Sequence, residues 1–192
     1  MGGGYGRGMT ELCGIVLAGG SGTRFGGPKA LARSADGTPW VRTAVETLRD
    51  GGCTRVVVVL GAQADDAAPL VPDAAEAVVA EDWPVGVAAS LRAGIGAAGS
   101  ADAVVVLPVD TPDTPSSAVR RIIGAAGEAR SALVQAVYGE RPGHPVLVGA
   151  DHLAALAASV SGDRGARPYL LDHGADEVDC ADLWSGDDVD RR

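Results

Sequence analysis

Four valines in succession, Val56 to Val59, lie between Arg55 and Leu60. β-Branched side chains pointing to both faces of a strand need apolar cover on both sides, which a parallel sheet between two helical layers supplies. Similar apolar runs recur at 12–17, 103–107 and 132–137, with a weaker one at 77–80. Stretches of helical spacing separate them. Val41, Ala44, Val45 and Leu48 form one apolar face after Pro39, and Gly51-Gly52 ends that helix. Shorter helical patterns follow at 64–70, 87–98 and 116–126. A return hairpin is expected over 139–148, then helices near 150–159 and 165–173 and a last strand at 177–180. Strand alternating with helix predicts an α/β chain: a Rossmann-like three-layer α/β/α sandwich around a mostly parallel sheet. In such sheets ligands bind beyond the carboxyl ends of the strands.

Composition narrows the class. With 192 residues and 46% hydrophobic content, one packed domain over 10–192 is expected, preceded by a glycine-rich flexible leader at 1–9. Met9 is an alternative start. No apolar run is long enough to cross a bilayer and no cleavable signal pattern is present, so a cytoplasmic location is expected, with no membrane partner. Cys13, Cys53 and Cys180 are far apart and form no CxxC pair, which points to reduced structural thiols rather than a zinc site. A net charge of -9 argues against nucleic acid as a partner.

The first strand runs into a loop holding five glycines between Gly19 and Lys29. Glycines let backbone N–H groups approach an anion, and Arg24 and Lys29 add positive charge. Two common phosphate motifs fail here. A Walker loop needs Ser or Thr after its Gly-Lys, but Lys29 stands between Pro28 and Ala30. A dinucleotide fingerprint counted from Gly20 meets Phe25 where its last glycine belongs. Of sixteen basic residues fifteen are Arg, and Lys29 is the single Lys. A flexible ammonium on phosphate is a task in which Arg does not replace Lys.

Asp110 follows the valine-rich run 104–107 and so falls at the carboxyl end of a buried strand, where a carboxylate can serve a magnesium ion. It also reads as a turn residue beside Thr111 and Pro112. Near the end of the chain, Asp188-Val189-Asp190 reads by itself as an acidic tail.

The string LAGGSGTRFGGPKAL at 17–31 resembles the signature loop of nucleotidyltransferases with a molybdenum-cofactor-transferase-like fold. That group includes molybdenum cofactor cytidylyltransferase, molybdopterin guanylyltransferase and the sugar-phosphate and isoprenoid nucleotidyltransferases. The resemblance implies a nucleotide-diphospho-sugar transferase-like fold and transfer of a nucleoside monophosphate from an NTP to a small phosphorylated acceptor, with a sugar phosphate or other cofactor precursor as the alternative acceptor and a non-catalytic nucleotide-binding partner protein as the alternative function. It implies Arg24, Lys29 and Asp110 as catalytic residues, and magnesium as cofactor on Asp110 and Asp190. It implies a nucleotide held by Leu17, Ala18, Gly19, Gly20, Ser21, Gly22, Thr23, Arg24, Lys29, Gly61, Gly86 and Ser90. The Thr-Pro and helix that usually follow the second metal motif are missing here.

Two further segments, YGERPGHPVLV at 138–148 and SGDRGARPYLL at 161–171, resemble the cytidylyltransferase-like branch. They imply CTP as donor, a molybdopterin-type acceptor framed by His144, Asp163, Arg164 and Arg167, and molybdoenzymes or other cofactor-synthesis proteins as partners. Read without the resemblance, His144 is a turn residue, Asp163 a helix cap and the two arginines a solvated face. His152 and His173 are expected at surface helix positions, and Trp40, Trp83 and Trp184 in packing roles.

Overall fold

The computed structural model describes residues 10–191, so the expectation of a flexible leader at 1–9 lies outside the described residues. Seven strands form one sheet: β1 (Leu12–Ala18), β2 (Arg55–Leu60), β3 (Glu76–Val79), β4 (Ala103–Pro108), β5 (Leu133–Tyr138), β6 (Arg141–Gly149) and β7 (Asp176–Asp179). Their spatial order is β3-β2-β1-β4-β6-β5-β7. Every pairing is parallel except the two made by β6, which runs antiparallel to β4 and β5. The expected hairpin is therefore real, but its second strand is inserted between β4 and β5.

The strand runs are apolar because each face of the sheet is covered. One face carries Val16, Val58, Val105 and Leu147 under α1 (Trp40–Gly51) and α4 (Ser116–Ala125). The other carries Ile15, Val57, Val106 and Val148 under α3 (Val87–Ala98), α5 (Ala150–Ser159) and α6 (Arg167–Asp172). A single turn, α2 (Ala64–Ala67), packs at the edge of the first layer. Gly94 lets α3 lie close on β1: a Cβ there would come within 2.6 Å of the Ile15 side chain. α1 begins after Pro39 and is closed by Gly52 in the left-handed region, as its spacing predicts.

β6 sets the geometry that matters for function. Being antiparallel, it starts where β4 ends, so Arg141 to His144 stand at the ligand edge of the sheet beside Pro108. α6 begins at Arg167, later than expected, and its N-cap is Ala166. Asp163 therefore does not cap that helix and belongs to the turn before it. Among the described residues no helix is long and apolar enough to cross a membrane.

Leu48 is fully buried between α1 and the sheet. Leu48→Ala is expected to cost about 2–5 kcal/mol in urea denaturation, through lost burial plus a cavity; a cost under about 0.5 kcal/mol would show that this layer is not tightly packed.

Candidate active site

β1 ends in a loop organised on one carbonyl. Gly22 O accepts hydrogen bonds from the N–H groups of Phe25, Gly26 and Gly27 at 2.9, 3.0 and 3.1 Å. Gly22 has φ +59, and a Cβ there would collide with the Gly27 carbonyl, so only glycine serves. Phe25 is buried against Trp40, with ring centroids 5.3 Å apart, which pins the loop to α1. Lys29 then opens a short 3-10 turn.

The loop delivers Lys29 to two carboxylates. Its Nζ donates to Asp110 at 2.8 Å and to Asp190 at 3.0 Å. Burial disfavours the ammonium, but the hydrogen bonds to Asp110 and Asp190 outweigh it and hold Lys29 above its ordinary value. The same bond to Lys29 holds Asp190 below the usual carboxylate range. Asp110 sits just past β4, in a turn braced by Thr111 Oγ1 on the Pro108 carbonyl at 2.9 Å. Oxygens of Asp110, Asp188 and Asp190 lie within 4.8 Å of one another. Such a set suits a hard cation that takes oxygen ligands.

The last segment reaches this place because it is strapped along its length. Arg121 binds the Asp179 carbonyl at 2.8 Å and the Asp182 carboxylate. Trp184 packs edge-on against Tyr138 at 5.3 Å, and the Tyr138 hydroxyl donates to the His144 carbonyl at 2.7 Å. Arg141 holds the Ser185 carbonyl at 2.7 Å and Asp187 at 3.0 Å. Finally the Val189 N–H donates to the Asp110 carbonyl at 2.8 Å. The Asp188–Asp190 segment is thus docked, and a Thr-Pro and following helix are not needed to place it.

A cleft of about 630 Å³ opens beside these groups, over β1, β4 and β6. Leu17, Ala18, Gly19, Gly20, Ser21, Gly22, Lys29, Gly86, Ser90, Asp110, His144, Asp163 and Arg167, all singled out in the sequence, line it. Asp190, beside Lys29, is not in the lining, and four further expected residues stand elsewhere. Thr23 and Arg24 are on the exposed outer part of the loop, where Arg24 reaches only the rim, 3.9 Å from Asp190. Gly61 lies behind the loop, packed against the Gly19 carbonyl and Trp83. Arg164 is exposed in a turn bridged to Ser161 and is not part of the lining. Burial pushes the His144 imidazole down to about 4, against the opposing pull of Asp110 and Asp188.

The structure adds residues that the sequence reading passed over. Trp83 and Pro84 line the cleft near Gly86, and Gln135 of β5 lines it as well. Gln135 is the lone polar residue in the apolar strand LVQAVY, and that break in pattern was its signal. Trp40 and Trp184 pack as expected. His152 is half-buried rather than simply at the surface: it bridges the Tyr169 hydroxyl at 3.0 Å and the Ser131 carbonyl at 3.2 Å. His173 stacks on Tyr169 just past α6. The three cysteines are buried free thiols.

A mostly parallel sheet, a glycine loop at its carboxyl edge and converging carboxylates define a nucleotidyltransferase. The MobA-like NTP transferase domain model matches residues 14–178, and the chain belongs to that family. It is 38% identical to nicotine blue oxidoreductase of Paenarthrobacter nicotinovorans, over 93% of this chain and 92% of that one. It is 32% identical to molybdenum cofactor guanylyltransferase of Cereibacter sphaeroides, over 86% and 83%. Its structure is similar to that of Rv0371c from Mycobacterium tuberculosis, with a TM-score of 0.80 and 28% identity over 95% and 93% of the chains. Another structure of that protein, a complex with manganese, matches with a TM-score of 0.71 and 26% identity over 88% of each chain.

Two outcomes follow from this geometry. The double substitution Arg141→Ala, Trp184→Ala should raise amide hydrogen exchange across 180–190 by about tenfold or more while the core strands stay protected; unchanged exchange would mean that the strap does not hold the segment. For His144, a folded pKa below the unfolded value means that stability is complete above about 6.5 and is lost as pH falls toward about 4. The loss should be about 1–3 kcal/mol in urea titrations, at the smaller end because part of the ring meets the cleft, and His144→Gln should remove it.

Proposed function

We propose that this cleft transfers a nucleoside monophosphate from an NTP, CTP by preference, to a phosphorylated acceptor of the molybdopterin type, with magnesium as cofactor. The observation that carries the reading is the meeting of Lys29, Asp110 and Asp190 at the mouth of the glycine loop. The carboxylate set fits a magnesium ion in kind, and the manganese complex of Rv0371c supports a divalent cation more generally. Asp110 and Asp190 would hold the ion, with Asp188 beside them. When bound, it supplies positive charge against the phosphate oxygens.

The chain's own groups do the rest. Loop backbone from Gly19 to Gly22 cradles the β and γ phosphates. Lys29 leaves its carboxylates for those phosphates, and Arg24 closes from the rim. An oxygen of the acceptor phosphate attacks the α phosphorus, the bond to the bridging β oxygen breaks, and pyrophosphate departs. That attacking oxygen is already ionised at neutral pH, so no side chain has to take its proton. Catalysis is positioning and electrostatics. Arg167, which lines the cleft, offers a cation for the acceptor. The segments at 138–148 and 161–171 support CTP, whereas the 32% identical guanylyltransferase makes GTP the rival donor.

A second reading, redox chemistry on the same scaffold, is favoured by the 38% identical relative named as an oxidoreductase. The two readings separate in one assay: pyrophosphate release with magnesium, molybdenum cofactor and each NTP in turn. Release with CTP alone is expected. Release with GTP alone would reassign the base, and no release with any NTP would remove the transferase reading. Lys29→Ala and Asp110→Ala should each lower turnover about 100-fold or more with the fold retained by circular dichroism; near-normal turnover in either variant would dismiss the role given to that residue.

A further inference from the structure

Tyr138, the last residue of β5, touches both β6 and the last segment of the chain. It is buried, and its hydroxyl bond to the His144 carbonyl fixes the ring against β6. The ring atoms Cδ2 and Cε2 lie over Gly143, where a Cβ would come within 2.9 Å of them. The same atoms face Gly186, where any Cβ would overlap the ring. Gly186 also has φ +77, a conformation that glycine adopts without strain. Trp184 meets the ring edge-on, two residues earlier. Two stretches of backbone thus approach one aromatic ring more closely than side chains would allow.

Gly186 stands two residues before Asp188 and four before Asp190. Beyond it the segment alternates. Val189 packs against the core that includes Tyr138, while Asp188 and Asp190 on either side are exposed. The depth of the ring contact therefore sets how far these carboxylates reach toward Asp110. Carboxylates gathered within 4.8 Å repel one another, and Lys29 offsets that repulsion for Asp110 and Asp190. The segment still needs an anchor. The Arg141–Asp187 ion pair is exposed on both sides, and such a pair adds little by itself. The buried anchor is the ring.

We propose that Tyr138 is a positioning residue for the cation site: its ring, packed on Trp184 and Gly186, presets the distance of Asp188 and Asp190 from Asp110. This rests on the reading of those carboxylates as a divalent-cation site. A preset cluster takes up an ion without first ordering the chain that carries it. The ring thereby contributes to affinity although it is no ligand. The hydroxyl acts on the hairpin through His144 and is not what the last segment rests on.

Manganese is the probe, and its binding is read from the loss of the free-ion signal in electron paramagnetic resonance. The samples are wild type, Tyr138→Phe, Tyr138→Leu, Trp184→Leu and Leu48→Ala, each with its melting temperature. Tyr138→Leu, which removes the ring, should weaken manganese binding about tenfold or more. Tyr138→Phe keeps the ring and should stay within about threefold of wild type. Trp184→Leu should weaken binding in the same direction as Tyr138→Leu, and it decides the matter if Tyr138→Leu does not fold. Leu48→Ala loses stability far from the site and should hold manganese within about twofold of wild type. Unchanged affinity in folded Tyr138→Leu would overturn the proposal and leave the cation site standing. Equal losses in Tyr138→Phe and Tyr138→Leu would overturn it by assigning the effect to the hydroxyl. An equal loss in Leu48→Ala would overturn it by reducing the effect to general stability. No manganese binding by wild type would remove the cation site itself, and the proposal with it.

Discussion

One ammonium ion ties together three parts of the chain that are remote in sequence. Lys29 arrives from the glycine loop, Asp110 from the end of β4 and Asp190 from the last segment. The contacts span 81 and 161 residues, so they exist only when the sheet is complete. Remove the loop's hub at Gly22, the turn at Thr111 or the strap at Arg141, and one member of the triad leaves. The functional reading depends on this convergence more than on any one residue in it.

The triad also explains why the ammonium is poised rather than fixed. It satisfies two carboxylates that would otherwise repel each other in a partly enclosed place. In the proposed reaction an incoming triphosphate would offer the ammonium a competing set of anionic oxygens, and a divalent cation would offer the carboxylates a stronger partner. Each charge would then exchange one partner for another rather than lose its partner. Having a single Lys, in a chain otherwise served by Arg, fits a role that needs a compact, mobile charge.

Much of this was legible in the sequence because it depends on local pattern. The valine run of β2, the apolar strand before the loop and the carboxylate after β4 all follow from spacing and from the rule that ligands sit at strand ends. What escaped depends on partners far away. Asp188–Asp190 looked as much like a loose acidic tail as a site, because its order comes from Trp184 on Tyr138 and from Arg141 on Asp187. The insertion of β6 between β4 and β5 also needs topology that a hairpin signal does not contain. Of the two roles the sequence allows Asp163, the helix cap fails because α6 starts four residues later. The lining by Leu156 and Leu170 was hidden because apolar residues of a cavity and of a core look alike.

The most direct test of the central claim is a crystal structure of the protein soaked with manganese and a non-hydrolysable CTP analogue, with the anomalous signal used to place the ion. The account predicts an anomalous peak shared by Asp110 and Asp190, with Lys29 moved from the carboxylates to the phosphates. A nucleotide bound while Lys29 still bridges Asp110 and Asp190, or an ion held away from both, would contradict it.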